Sequence, residues 1–122
     1  MQKNLYERLG GYDSISAVVD DFLQRQFIDK QVGRFYVGHS TNSKKRLRQL
    51  ITEMICEITG GSAKYVGRYM RTAHTGLGIT GGDWEVTVKN LTASLDKFKV
   101  PQKEKDELLA DVAGLRPVIV EL

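Results

Sequence analysis

Two histidines, one cysteine and one adjacent pair of aspartates are the side chains through which this sequence could do chemistry. Imidazole titrates near neutrality without perturbation and is the commonest metal ligand. His39 stands in the polar stretch His39-Ser40-Thr41-Asn42-Ser43, where a solvated loop residue is the ordinary outcome. His74 stands between apolar segments, in Gly67-Arg68-Tyr69-Met70-Arg71-Thr72-Ala73-His74-Thr75-Gly76-Leu77-Gly78-Ile79. Composition leaves open whether it packs, caps a helix or holds a metal. Cys56 has no second cysteine, which excludes an internal disulfide, a zinc ribbon and a CxxCH attachment site. Its place beside an apolar helix face predicts a small buried hydrophobe. Asp20 and Asp21, consecutive in a helix and about 100° apart on its circumference, predict a solvent face. Gly10-Gly11 and Gly60-Gly61 lack the Lys-Ser/Thr of a phosphate loop and the GxGxxG spacing. No catalytic residue is assigned.

These groups must be positioned by helices, because the apolar residues recur at helical spacing. Asn4 followed by Glu7 reads as a capping box for a short first helix, which Gly10-Gly11 stops. Asp13 is expected to cap the next helix, in which Ile15, Val18, Val19, Phe22, Leu23 and Phe27 form one apolar face. Val32 to Gly38 reads as a short turn, and His39 to Ser43 as a loop with Ser40 or Ser43 as the following cap. Leu47, Leu50, Ile51, Met54, Ile55 and Ile58 make a second amphipathic helix ending at Gly60-Gly61. Tyr65 to His74 reads as a loop passing into a brief helix. Thr80 to Asp83 opens a helix bearing Trp84, Val88, Leu91, Leu95 and Phe98. Pro101 fits the first turn of a last helix carrying Leu108, Leu109, Val112 and Leu115, which Pro117 should kink or end. No strand-period segment or internal repeat occurs, so the expected class is all-α.

The chain has 122 residues, enough for a single domain over 1–122. Hydrophobic residues at 41% and charged residues at 27% are a globular balance. The longest apolar run, Val118-Ile119-Val120, is far short of the roughly 20 residues of a membrane span. With no apolar h-region near the N-terminus, a cytoplasmic location is expected. A net charge of +3 is too small and too mixed to require nucleic acid. The one local excess, Lys44-Lys45-Arg46-Leu47-Arg48, reads either as a solvated helix opening or as the seat of an anionic ligand.

The order of the pieces carries a resemblance. Leu5-Tyr6-Glu7-Arg8-Leu9-Gly10-Gly11, Val19-Asp20-Asp21-Phe22, Phe35-Tyr36, Gly60-Gly61 ahead of Tyr65, Gly67-Arg68-Tyr69-Met70 and His74-Thr75-Gly76-Leu77-Gly78-Ile79 together resemble the truncated haemoglobins, specifically their first group. Nearly the whole chain is covered. The resemblance implies a two-over-two helical sandwich around one b-type haem. Such a disc needs apolar walls, cations near its propionates and one neutral imidazole on the iron. It implies His74 as the proximal iron ligand and Phe22, Leu23, Phe35, Tyr36, Leu47, Ile51, Ile55, Tyr65, Met70, Arg71 and Trp84 as cofactor-contacting residues, with Arg68 and Arg71 suited to a propionate. Trp84 falls where the family usually has Phe.

On the distal side the sequence departs from that pattern. The family commonly has Tyr directly after the Phe of the second helix, where this chain has Leu23, and Gln on the facing helix, where it has Leu47 and Ile51. The loop between Tyr36 and Leu47 reads as about three residues longer than usual. Tyr36 is then the best surviving hydroxyl donor, with Arg48, Lys44 and the loop residue His39 as other distal candidates. The resemblance implies binding of O₂, CO or NO, with nitric-oxide dioxygenation or peroxide reactivity open, an unidentified reductase as a partner, and a monomer with neither a nucleic-acid nor a membrane partner. The rival expectation is a haem-free helical module that uses Lys44 to Arg48 on an acidic partner.

Overall fold

The first turn of the chain is built by side chains that satisfy helix-end amides. Asn4 Oδ1 accepts from the Glu7 amide at 2.9 Å and starts α1, Leu5–Arg8. Gly10, at φ 100°, then turns the chain in a left-handed conformation where a Cβ would lie 2.5 Å from Ser14 Oγ. Helix α2, Gly11–Ile28, starts immediately, with Gly10 and not Asp13 as its N-cap. Asp13 falls in its first turn, and the Tyr12 amide donates to Tyr6 Oη at 3.0 Å. The computed structural model describes residues 3–38, 40–60 and 78–120.

One turn of 3₁₀ helix, Gly33–Tyr36, follows α2. Ser40 caps α3, Thr41–Ile58, by accepting from the Ser43 amide at 3.1 Å. Of the two expected caps, Ser40 and Ser43, the first is used, so residues 41–43, read as loop, are helical, and the basic run from Lys44 lies inside the helix opening. The end of α3 is tied back to α1, because Asn4 Nδ2 donates to the Gly60 carbonyl at 2.8 Å and the Tyr6 amide to that of Thr59 at 2.9 Å. Helix α4, Gly81–Lys97, opens with a reciprocal capping box between Thr80 and Asp83. Phe98 caps its far end and is 43% exposed, so the apolar stripe ends at Leu95. Pro101 is the N-cap of α5, Gln102–Ala113, and Gly114 its C-cap. Pro117 does not end that helix. It sits in the first turn of α6, Arg116–Ile119, where its missing amide hydrogen leaves nothing unpaired.

Helix α2 lies against both α3 and α4, α4 meets α5, and α1 bridges α2 to α5. The described residues form helices and turns without strands, arranged as α2 and α3 over α4 and α5. Ile15, Val18, Val19, Phe22 and Leu23 of α2, Met54, Ile55 and Cys56 of α3, Trp84, Leu91 and Leu95 of α4, and Leu108 and Val112 of α5 share one buried cluster. Burial pushes the Cys56 thiol up from its ordinary value, with Glu53 adding to the effect. Arg8 closes the outside by forking onto Glu104 at 3.0 Å and Glu107 at 2.5 Å.

Candidate functional site

The apolar wall expected of the site is present in its described part. Phe22, Leu23, Ile55 and Trp84 belong to the buried cluster, and Leu47 and Ile51 are partly buried against it. Leu23 is 2% exposed, and its neighbours one turn away, Asp20 and Phe27, reach α3 through Arg48 and Lys44. That places Leu23 on the α3-facing side of α2, where it carries no polar atom. Arg48 lies 3.4 Å from exposed Asp20, and Lys44 Nζ sits 4.7 Å from the centre of the Phe27 ring. Both cations thus have partners at the rim of the wall.

Phe35 and Tyr36 stand outside this cluster and are held by different means. The Arg34 guanidinium covers the Phe35 ring at 4.3 Å. The same Arg34 reaches Asp83 at 2.8 Å, and Gln31 Nε2 donates to Asp83 at 2.9 Å, so the 3₁₀ turn is clamped to the residue preceding Trp84. Burial alone would push the Asp83 carboxyl up. The Thr80 amide, Gln31 and Arg34 outweigh it and hold the carboxyl well below the usual carboxylate range. The Tyr36 ring meets Phe27 edge-on, centroids 5.1 Å apart. Its hydroxyl accepts from Gln26 Nε2 at 3.2 Å. Burial raises the Tyr36 hydroxyl above its ordinary value, and the Gln26 donor partly opposes this.

Gln26 is a residue that sequence reasoning missed. It is 2% exposed, donates also to Thr87 Oγ1 at 3.1 Å, and accepts from Asn90 Nδ2 at 2.7 Å. The available signal was an amide three residues after Leu23 and four after Phe22, inside an otherwise apolar stripe. A buried amide in that register needs partners from another helix. Asp21, expected on a solvent face, is also corrected. It accepts from Arg25 at 2.7 Å, Ser94 Oγ at 2.7 Å and Lys97 at 3.0 Å, joining α2 to α4. Asp20 alone is exposed.

His74, Tyr65, Met70, Arg71, Arg68 and His39 lie outside the described residues. Among the described residues no group of three His, Cys, Asp or Glu gathers as a metal site, and no helix is long and apolar enough to cross a membrane. An apolar wall of this kind suits a flat apolar molecule better than an ion.

Comparison with known proteins agrees with this geometry. Residues 4–120 match the family model described as bacterial-like globin. The chain is 31% identical over 116 residues to the group 1 truncated hemoglobin GlbN of Mycolicibacterium paratuberculosis, spanning 95% of this chain and 83% of that protein. It is 33% identical over 115 residues to GlbN of Synechocystis, spanning 91% and 87%. The 2/2 hemoglobin of Synechococcus superposes with a TM-score of 0.87 at 27% identity, covering 97% of this chain and 98% of that one. A truncated hemoglobin of Tetrahymena pyriformis reaches a TM-score of 0.89 at 22% identity, covering 98% and 100%, a likeness of fold.

Proposed function

The chain belongs to the bacterial-like globin family, among its group 1 truncated hemoglobins, and from that premise we propose a haem-b protein that binds diatomic gases with His74 on the iron. One haem per chain is the family's complement. When bound, it supplies an iron that takes up O₂, CO or NO reversibly.

The described residues fit such a group. Leu47 and Ile51 offer half-covered apolar side chains beside buried Phe22, Leu23, Ile55 and Trp84, which is the surface a porphyrin face requires. Tyr65, Met70, Arg71 and His74 would complete the holding set, with Arg71 or Arg68 toward a propionate. His74 is supported by its position ahead of Gly76-Leu77-Gly78-Ile79, the run that carries the resemblance.

The observation that shapes the activity is the lack of any donor on Leu23, Leu47 and Ile51. A polar gas adduct gains about 1–3 kcal/mol from a single hydrogen bond to a charged partner. With no donor on those three side chains, we infer weaker oxygen retention and easier autoxidation than a pocket with Tyr and Gln would give. Oxygen handling is the coarse function. Nitric-oxide dioxygenation or peroxide reactivity is the finer one, and turnover of the first would require a separate reductase. Neither the family match nor the relatives support the haem-free module on Lys44 to Arg48.

His74→Ala tests the assignment. The variant is expected to lose its Soret band on purification, or to recover a five-coordinate ferrous spectrum only when imidazole is added. A ferrous spectrum unchanged from the parent would falsify the role of His74.

A further inference from the structure

We propose that the groove between α2 and α3 binds a small soluble polyanion carrying phosphate groups, at a site formed by Tyr12, Ser16, Lys45, Arg46, Arg48 and Gln49. The site lies apart from the proposed haem wall, and the inference does not rest on the gas-binding reading.

The groove is a cavity of about 410 Å³, inside the range of roughly 300–1,000 Å³ common to small-molecule sites. Among the described residues three cations line it and no carboxylate does. Helix α3 divides its faces here, because Leu47 and Ile51 pack against the core while Lys45, Arg46, Arg48 and Gln49 are exposed. Helix α2 contributes two hydroxyls, one from half-buried Ser16 and one from Tyr12, which is 41% exposed. The carboxylates nearest in contact are engaged at the edge. Asp20 meets Arg48 at 3.4 Å, and Glu53 accepts from Gln49 Nε2 at 3.3 Å. The side chains of Tyr12, Ser16, Lys45 and Arg46 make no hydrogen bond or ion pair with the described residues. Four groups able to donate thus converge on one cavity without a protein acceptor.

Folding does not account for that arrangement. Lys45 and Arg48 are three residues apart on one helix, and Lys44 and Arg48 four apart, spacings at which like charges destabilise it. One exposed pair with Asp20 offsets little of this. A phosphate-bearing polyanion uses every group present: guanidinium forks match phosphate oxygens in pairs, an ammonium supplies a point charge, and hydroxyls donate to the remaining oxygens. Three cations without a facing acid exceed what a singly charged anion neutralises. A flat acidic surface would meet exposed Lys45 and Arg46 but not half-buried Ser16. Ser16 therefore distinguishes an anion seated in the groove from a surface encounter.

The test is calorimetric titration of the haem-loaded chain with inorganic pyrophosphate, at an ionic strength held near about 0.1 M with sodium chloride. One pyrophosphate per chain is expected, with a dissociation constant below about 1 mM. Lys45→Gln combined with Arg46→Gln should weaken binding by about 100-fold, and Ser16→Ala by about three- to ten-fold. Lys103→Gln, which neutralises an exposed cation on α5, should leave it unchanged. If the double variant does not fold, Lys45→Gln alone is read instead, with about ten-fold expected. No saturable heat up to about 10 mM pyrophosphate would overturn the proposal. So would an equal loss in Lys103→Gln, which means diffuse charge attraction, or a Ser16→Ala protein that binds like the parent. Sedimentation with phosphatidylglycerol vesicles in the absence of pyrophosphate binding would put the cations at a membrane surface and overturn the soluble ligand. A chain that takes up no haem overturns the gas-binding reading and leaves this titration to be read on the same terms, whereas a normal Soret band without pyrophosphate binding overturns this inference alone.

Discussion

Toward α3, helix α2 turns the face of Asp20, Leu23 and Phe27; toward α4 it turns Asp21 and Gln26. The first seam is apolar at its centre, with its ion pair and its cation–ring contact at the rim. The second is crossed by hydrogen bonds from Asp21 to buried Ser94 and exposed Lys97, and from buried Gln26 to half-buried Thr87 and Asn90. Apolar packing fixes distance and shape but is non-directional. Hydrogen bonds between side chains fix which way a donor points. The α2–α3 seam can therefore wall a pocket without acting on what enters it. The α2–α4 seam fixes the direction of the donors and acceptors that cross it.

The comparison breaks most visibly at Leu23. Truncation of a Leu that is 2% exposed removes buried surface and leaves a cavity, so Leu23→Ala is expected to lower stability by about 2–5 kcal/mol in urea denaturation of the haem-free protein. A loss under about 1 kcal/mol would show that the α2–α3 seam collapses easily, and that its apolar centre is not what holds the wall.

The second seam is legible through pH. Burial alone would raise the Asp21 carboxyl, but Arg25, Ser94 and Lys97 hold it at about 2, against an ordinary 3.8. Because the folded value is the depressed one, the unfolded chain takes up the proton more readily. The stabilisation is then complete above about pH 5 and is lost as pH falls through 3.8 toward 2. The difference amounts to about 2 kcal/mol. The stability gap between the parent and Asp21→Asn should narrow by about that amount across this window. A constant gap would mean that Asp21 is no more strongly paired in the folded chain than in the unfolded one.

How far the sequence could be read follows the same division. The three long helices, α2, α3 and α4, were legible because apolar residues at spacings of three and four leave a periodic trace, and Leu23, Ile55 and Trp84 lie in the core that trace predicts. Caps decided by one local choice were less certain, as at Gly10 in place of Asp13 and at Pro117 inside a new turn. Hydrogen bonds between distant elements leave no periodic trace. Asp21 reads as solvent face until Ser94, far along the chain, is known to sit opposite, and Asp83 reads as a plain cap until Arg34 and Gln31 arrive from the 3₁₀ turn and its approach. For the site, the apolar half was legible from pattern and the order of motifs. The polar half was not, because Gln26, Thr87 and Asn90 acquire their meaning only from one another.

The smallest effect is expected at the rim of the apolar seam, and it sharpens the contrast by what it fails to do. Arg48 and Asp20 approach to 3.4 Å, with side chains 45% and 52% exposed. Solvent screens such a pair and both side chains lose conformational freedom in making it, so its net contribution is about 0–0.5 kcal/mol. Arg48→Ala should therefore change the urea midpoint barely beyond error, and a few hundred millimolar salt should leave parent and variant together, since the Debye length is already short there. Helices α2 and α3 would then be shown to stay together without help from this ion pair. A loss above about 1 kcal/mol that salt abolishes would reverse that conclusion, making the α2–α3 seam, like the α2–α4 seam, one that depends on directed polar contacts.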